Sequence, residues 1–422
     1  MRLLNAHTLE FKKVSDNKVP KYAILSHTWL DEEDEVSFHE FNQPDAIKKP
    51  GYQKIESFCE LAIASGYSYV WIDTCCIDKA SSAELSEAIN SMFRWYERSA
   101  VCFAYLPDVS EASEHLLAEF EYSRWFTRGW TLQELLAPKL VLFVGANWKV
   151  FGNRDSLAYP ISSITRIESR YLTSRAAELH YRASDKPYYD AGEGHFERMD
   201  KIHAATVAEK LSWAATRETT RSEDIAYCLL GLCEVNMPLL YGEGSNAFLR
   251  LQEAIIRQKF DPTLFAWNVV IENEEGQRTL RPEKPVPSSK WKSAGKVLLG
   301  IDNPWRHRNG DEFRLLNFTC PKILAPSPLC FSGCTDYINM QVSLDWDLTS
   351  RGFSISLPAS MNTNPCMLLP CHRKDDPWHL IGIPLDSYPG GLFDRAAAPI
   401  DYQMAWGANG LIEGSISHYF GY

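Results

Sequence analysis

Tyr69-Val70-Trp71-Ile72-Asp73 and Val101-Cys102-Phe103-Ala104-Tyr105-Leu106 are two apolar runs without polar alternation, and a strongly helical stretch lies between them. Short continuous apolar runs of this kind read as strands buried on both faces. The stretch between them opens on Ser81-x-x-Glu84, a capping-box pattern in which a hydroxyl and a carboxylate satisfy the free amides of a helix start. Leu85, Ala88, Ile89, Met92, Phe93 and Tyr96 then recur at helical spacing, opposite Glu87, Arg94 and Arg98. Strand, capped helix, strand is the unit of a parallel sheet covered by helices.

Working outward, the same alternation continues on both sides. Tyr22-Ala23-Ile24-Leu25-Ser26 is a strand, and Tyr52, Ile55, Phe58, Cys59 and Ala62 mark a helix after it. Pro107 stops the 101–106 strand. A helix over 132–137 leads to a further strand, Leu140-Val141-Leu142-Phe143-Val144. In such a sheet, active groups gather at the carboxyl ends of the strands. That edge carries Ser26, His27 and Trp29 after one strand and Asp73 to Asp78 after another.

Beyond residue 150 the pattern changes twice. Residues 151–205 are charged and irregular, with Asp185-Lys186-Pro187 and Gly192-Glu193-Gly194, and 206–267 are helical with a break at Gly242-Glu243-Gly244. Residues 271–294, rich in Glu, Pro, Lys and Ser, read as a linker. Then the period becomes two: Phe313 and Leu315; Val342, Leu344 and Trp346; Phe353, Ile355 and Leu357. Such alternation between prolines predicts an antiparallel β domain. The expected segments are a sheet domain over 1–150, a charged insertion with a helical companion over 151–270, and a β-rich domain of unknown role over 295–422.

Composition bounds the function. The chain has 422 residues, 45% hydrophobic and 23% charged, an ordinary globular balance with material for a large core. Its formal net charge of −11 argues against broad nucleic-acid binding. No apolar run nears the ~18 residues of a membrane span, and polar residues interrupt the first seven positions too early for a secretory signal. The 11 cysteines are odd in number and scattered, which fits a reducing compartment, so a cytoplasmic location is expected. Neither a P-loop nor a GxGxxG fingerprint occurs, which removes the commonest nucleotide folds.

Three groups of residues could carry chemistry. Cys75-Cys76, with His27, Asp73 and Asp78 near, reads either as a thiol nucleophile with a base or as small buried residues at a strand end. Cys330-x-x-x-Cys334 and Cys366-x-x-x-x-Cys371-His372 lack paired zinc spacing, so no metal is expected. The third group, Ser123-Arg124-Trp125-Phe126-Thr127-Arg128-Gly129-Trp130-Thr131-Leu132-Gln133-Glu134-Leu135, joins aromatics, arginines and one carboxylate at a helix start. By spacing alone it reads as an amphipathic helix with indoles in the core and Glu134 paired to Arg128, or as a ligand site.

Three stretches resemble the signature blocks of the fungal heterokaryon incompatibility (HET) domain: Tyr22 to Trp29, Trp71 to Lys79, and Arg128 to Leu135. The segment Thr220 to Tyr227, with Tyr241-Gly242-Glu243-Gly244 and Phe265-Ala266-Trp267, is similar to the helical region that often follows it. The resemblance implies self/non-self recognition between fungal cells that ends in programmed cell death. Larger members carry a nucleotide-switch module and repeats that are not found here, so a regulator would be a separate protein or the C-terminal domain; a homo-oligomer is expected if the domain works by self-association. The order of elements also resembles a Toll/interleukin-1 receptor (TIR) domain, which implies a flavodoxin-like sheet. In catalytic members of that group a glutamate on the helix before the fourth strand acts in NAD cleavage, and the matching position is Glu134. NAD is then a substrate, with no cofactor implied. Ser26, His27, Trp29, Asp73, Cys76, Asp78, Arg128, Trp130 and Gln133 are the expected binding residues, the indoles stacking on a flat ring and Arg128 meeting a phosphate. Two other readings share the fold: a non-catalytic, self-associating signalling module, and a small-molecule enzyme using cysteine and histidine.

Overall fold

The computed structural model describes residues 1–15, 18–110, 112–173 and 192–267, and beyond these the segments 270–272, 278–280, 313–320, 324–335, 337–339, 346–349, 352–360, 366–374, 376–388, 392–395, 400–407 and 410–416. The chain divides into two compact units, Met1–Ala205 with Thr216–Gln258, and Thr206–Ala215 with Lys259–Tyr422. Among the described residues no helix is long and apolar enough to cross a membrane.

The first unit is built on a seven-stranded sheet. Its strands are β1 (Arg2–Asn5), β2 (Phe11–Lys13), β3 (Ala23–His27), β4 (Tyr69–Trp71), β5 (Val101–Tyr105), β6 (Val141–Val144) and β7 (Val150–Asn153), in the order β2-β1-β4-β3-β5-β6-β7. The inner four are parallel, and β1, β2 and β7 add antiparallel edges. In order of appearance the parallel strands run 2-1-3-4, so the connections leaving β3 and β5 go to opposite faces, which makes their carboxyl ends the topological switch point where sheets of this kind bind ligands. The helices of this half are α1 (Pro50–Ala64), α2 (Asp73–Cys76), α3 (Ser82–Arg98), α4 (Leu116–Glu121) and α5 (Thr131–Leu136). The edge hairpin of β1 and β2 has no counterpart in the sequence reading, because Arg2, Lys12 and Lys13 break the apolar pattern there.

Strand register sorts the edge residues by face. His27 pairs with Tyr105 and Tyr105 with Val144, while Ser26 pairs with Ala104 and Ala104 with Phe143. Alternation therefore puts Ser26 on one face and His27 on the other. On the Ser26 face lies an aromatic cluster: Trp125 meets Phe126 and Phe143 edge-on at 5.1 and 5.7 Å, and Phe120 meets the same two at 4.9 and 5.1 Å. Each such pair adds about 0.5–1.5 kcal/mol beyond its buried area. On the His27 face, Phe58 of α1 packs edge-on against Phe103.

The expected α3 face is buried from Ala88 to Tyr96. Only half of its capping box forms. The Ser81 hydroxyl accepts from the Glu84 amide at 3.3 Å, but the Glu84 carboxylate turns away to accept from the Asp78 amide and to pair with Arg2 at 2.8 Å. Gly242 and Gly244 have φ of +103° and +60°, which is why the helical region breaks there, and both amides donate to the Glu223 carboxylate.

In the second unit, the described strands from Phe313 to Ile416 form one nine-stranded sheet, antiparallel among the described residues except for the parallel pairing of Thr319 with Leu392. Phe313, Leu315, Trp346, Phe353, Ile355 and Leu357 all lie on its strands, whereas Val342 and Leu344 fall outside the described residues. Most of the expected linker over 271–294 falls outside them too.

Candidate functional site

Asp73 is the hub of the carboxyl edge. It opens the short α2 just past β4, and its two oxygens take separate partners. The His27 Nε2 lies 2.8 Å from Oδ1, and the Trp29 Nε1 donates to Oδ2 at 2.7 Å. Burial by itself would raise the Asp73 carboxyl, but His27, Lys79 and Trp29 together hold it well below the ordinary range. It is therefore a carboxylate at any working pH. Trp29 is 49% exposed, and the Lys79 ammonium sits 3.6 Å from its ring centroid. The loop that presents Trp29 is anchored beneath by the buried ion pair of Lys54 and Glu35, whose carboxylate also accepts from the Leu30 amide at 2.8 Å.

Glu134 lies on the Ser26 face, on α5, the helix before β6. It is 6% exposed, and its Oε2 has no hydrogen-bond partner among the described residues. Burial pushes its carboxyl up to about 8, and the charge of Asp73 pushes the same way. Hydrogen bonding to Ser26 and Tyr96 and the charge of Arg217 oppose this without overcoming it. At neutral pH Glu134 is thus mostly protonated, held neutral by lack of water rather than by lack of neighbours. The Ser26 hydroxyl is itself fixed, accepting from Trp125 Nε1 at 2.8 Å, and Tyr96 donates to the Leu25 carbonyl at 2.9 Å. The expected partner Arg128 is turned elsewhere; the cation acting on Glu134 is Arg217.

The remaining expected residues separate from this edge. Arg128 donates to Thr220 Oγ1 at 2.8 Å, and Trp130 Nε1 donates to Asp224 at 3.3 Å, so both fasten the 217–224 segment to the start of α5. Gln133, next to Glu134 in sequence, is buried, and its Nε2 has no hydrogen-bond partner among the described residues. Asp78 holds His39 at 2.9 Å on the outer side of the loop. Cys75 and Cys76 are both buried. Burial pushes the Cys75 thiol well up, which keeps it protonated and weak as a nucleophile. Of the tryptophans in or beside the signature stretches, Trp71 and Trp125 are core, and Trp29 offers an open face.

Sequence reasoning missed Arg217, Lys54, Glu35 and Tyr96. Each reaches the site from another element, and no local spacing relates it to its partner. Lys79 closes the Trp71–Lys79 stretch, and only the fold brings it over the Trp29 ring.

Comparison with known proteins gives two family matches. Residues 22–118 match the model described as heterokaryon incompatibility protein (HET), and residues 246–299 match a domain of unknown function, DUF8212. Vegetative incompatibility protein HET-E-1 of Podospora anserina is 40% identical over 251 residues, 58% of this chain and 17% of that relative. The chain thus spans less than a fifth of the relative's length. No solved structure matches.

Proposed function

We propose that this chain, which carries a heterokaryon incompatibility domain over residues 22–118, is a cell-death effector of the fungal incompatibility response and hydrolyses NAD at the nicotinamide–ribose bond. The 2-1-3-4 order of the parallel strands and the position of Glu134 on the helix before the fourth of them support a TIR-like reading of the sheet. The observation that carries the proposal is the Glu134 carboxyl: buried beside Ser26 at the carboxyl end of β3, one oxygen unpartnered, and held protonated by burial. An unpartnered buried polar atom is costly, and strongly perturbed carboxyls concentrate at reaction sites.

The chemistry suits a single carboxylate. Breaking the bond between the ribose C1′ and the ring nitrogen places positive charge on the sugar, while nicotinamide leaves neutral and needs no acid. Water adds at C1′ and a proton is released. A cationic ring entering beside Ser26 favours loss of the Glu134 proton, and the resulting carboxylate faces the charge that develops on the ribose. Trp29 supplies a face for the ring, and Lys79 beside it a cation for a phosphate. The HET-domain reading also leaves room for self-association and for a regulatory partner protein.

Expression of the full chain in a fungal or bacterial host tests this. Cellular NAD should fall and growth should stop with the wild-type chain, and Glu134→Ala should prevent both at equal protein level. Growth arrest that persists with Glu134→Ala while NAD stays constant would replace the enzyme with a non-catalytic signalling module.

A further inference from the structure

The segment after Ala215 reaches α5 by hydrogen bonds that sequence reasoning did not foresee. The Glu218 amide donates to the Thr127 carbonyl at 2.7 Å, and the Gly129 amide donates back to the Glu218 carbonyl at 2.8 Å. The two strands of chain lie so close that a Cβ at Gly129 would be 2.6 Å from Thr219 Cγ2. Between these bonds Arg217, 5% exposed, points inward. Its Nη1 donates to the Arg128 carbonyl at 2.8 Å and to Thr131 Oγ1 at 2.9 Å.

Thr131 is the first residue of α5 and lies three positions before Glu134, on the same side of the helix. Its hydroxyl donates to the Trp125 carbonyl at 2.6 Å, and the Trp125 indole donates to Ser26 Oγ, which meets the Glu134 carboxyl. Two runs of hydrogen bonds, joined through the covalent frame of Trp125, therefore link Arg217 to Ser26 beside Glu134. Five groups interact with Glu134: Ser26 from β3, Tyr96 from α3, Asp73 from α2 and Arg217 from the 216–220 strap act on its carboxyl, and Cys102 from β5 donates to its backbone carbonyl at 3.9 Å. Ser26, Tyr96 and Cys102 are neutral hydroxyls and a thiol, Asp73 is negative, and Arg217 brings the positive charge.

We infer that Arg217 is the positioning residue for Glu134: it anchors the first turn of α5 and sets a buried positive charge opposite the carboxyl. The inference rests on the reading of Glu134 as the reacting group. A buried carboxyl near Asp73 needs a cation within reach to ionise on demand, and no local exposed residue could serve without admitting water. The strap supplies it from 83 residues downstream, and Arg217 joins the segment that leaves Ala215, where the chain returns from the second unit to the first. The site is in this sense incomplete without residues beyond the first 150.

The test uses the full chain with Arg217→Met, Arg217→Lys and Thr131→Val. Titration of the Glu134 carboxyl by 13C NMR, its signal assigned by its loss in Glu134→Gln, gives the midpoint directly. Arg217→Met should move the midpoint alkaline by about one pH unit, which lowers NAD turnover near pH 7.5 roughly ten-fold with little change in KM. Arg217→Lys, which keeps the charge, should restore much of both. Thr131→Val, which removes one anchor and leaves the bond to Arg128, should move the midpoint the same way by about half as much, and it serves where Arg217→Met does not fold. A midpoint unmoved in the folded Met or Val variant overturns the inference, as does Arg217→Lys behaving like Arg217→Met. If the wild-type chain releases no nicotinamide, the proposed function fails, and the titration still decides the role of Arg217.

Discussion

Replacing Glu134 by glutamine should make the protein more stable, and the gain should grow with pH. The carboxyl rises from 4.5 in the unfolded chain to about 8 in the fold. At about 1.36 kcal/mol per pH unit, ionising it in place costs roughly 5 kcal/mol. The sign follows from proton counting. Below about pH 4.5 both states hold the proton and the fold pays nothing. Above it the unfolded chain releases the proton while the folded chain keeps it, so stability falls as pH rises until about 8 is passed. Glutamine has nearly the same shape and never ionises. The stability difference between Glu134→Gln and wild type should therefore widen by about 1.4 kcal/mol per pH unit between about pH 5 and 8 and level off above. Urea unfolding at pH 5.5, 6.5, 7.5 and 8.5, followed by tryptophan fluorescence, measures it. All other titrating groups are shared and cancel in the difference. A difference that stays constant over this range would refute the buried, protonated carboxyl on which the site rests.

Two other variants test the surroundings. Asp73→Asn removes the charge that holds His27 and Trp29, and should cost about 2 kcal/mol near neutral pH; because the Asp73 carboxyl is depressed, its contribution is present above the ordinary carboxylate range and disappears as pH falls below it, so acid unfolding curves of the two proteins should converge. Gly231→Ala places a Cβ 2.0 Å from the Phe93 Cβ and should cost about 1–3 kcal/mol or more by forcing α3 from its seat, read as a lower midpoint in the same urea assay.

The parallel sheet was legible because its strands are short, apolar and separated by strongly periodic helices. The α3 face from Ala88 to Tyr96 is the clearest instance: hydrophobic spacing alone told which side is buried. The edge positions of Ser26, His27, Trp29 and Asp73 followed from strand ends. What spacing could not tell was partnership. Glu134 has Arg128 six residues away, within easy reach on paper, yet Arg128 bonds Thr220 and the acting cation is Arg217. Trp130 likewise looked free to stack on a ring and instead donates to Asp224. Such contacts join residues some 90 positions apart, where no period links them. The N-terminal hairpin is hidden for the opposite reason: the buried Arg2 and the exposed Lys12 and Lys13 interrupt the apolar pattern of strands that pair through their backbones.

Purified 422-residue protein shows whether the Glu134 carboxyl acts at the ribose of NAD. Incubated with NAD near pH 8, the wild-type chain should release nicotinamide and ADP-ribose in equal amounts, and Glu134→Gln, which folds at least as stably, should release neither. Full turnover by Glu134→Gln, or none by folded wild-type protein over a broad range of protein concentration, would show that Glu134 does not act on NAD.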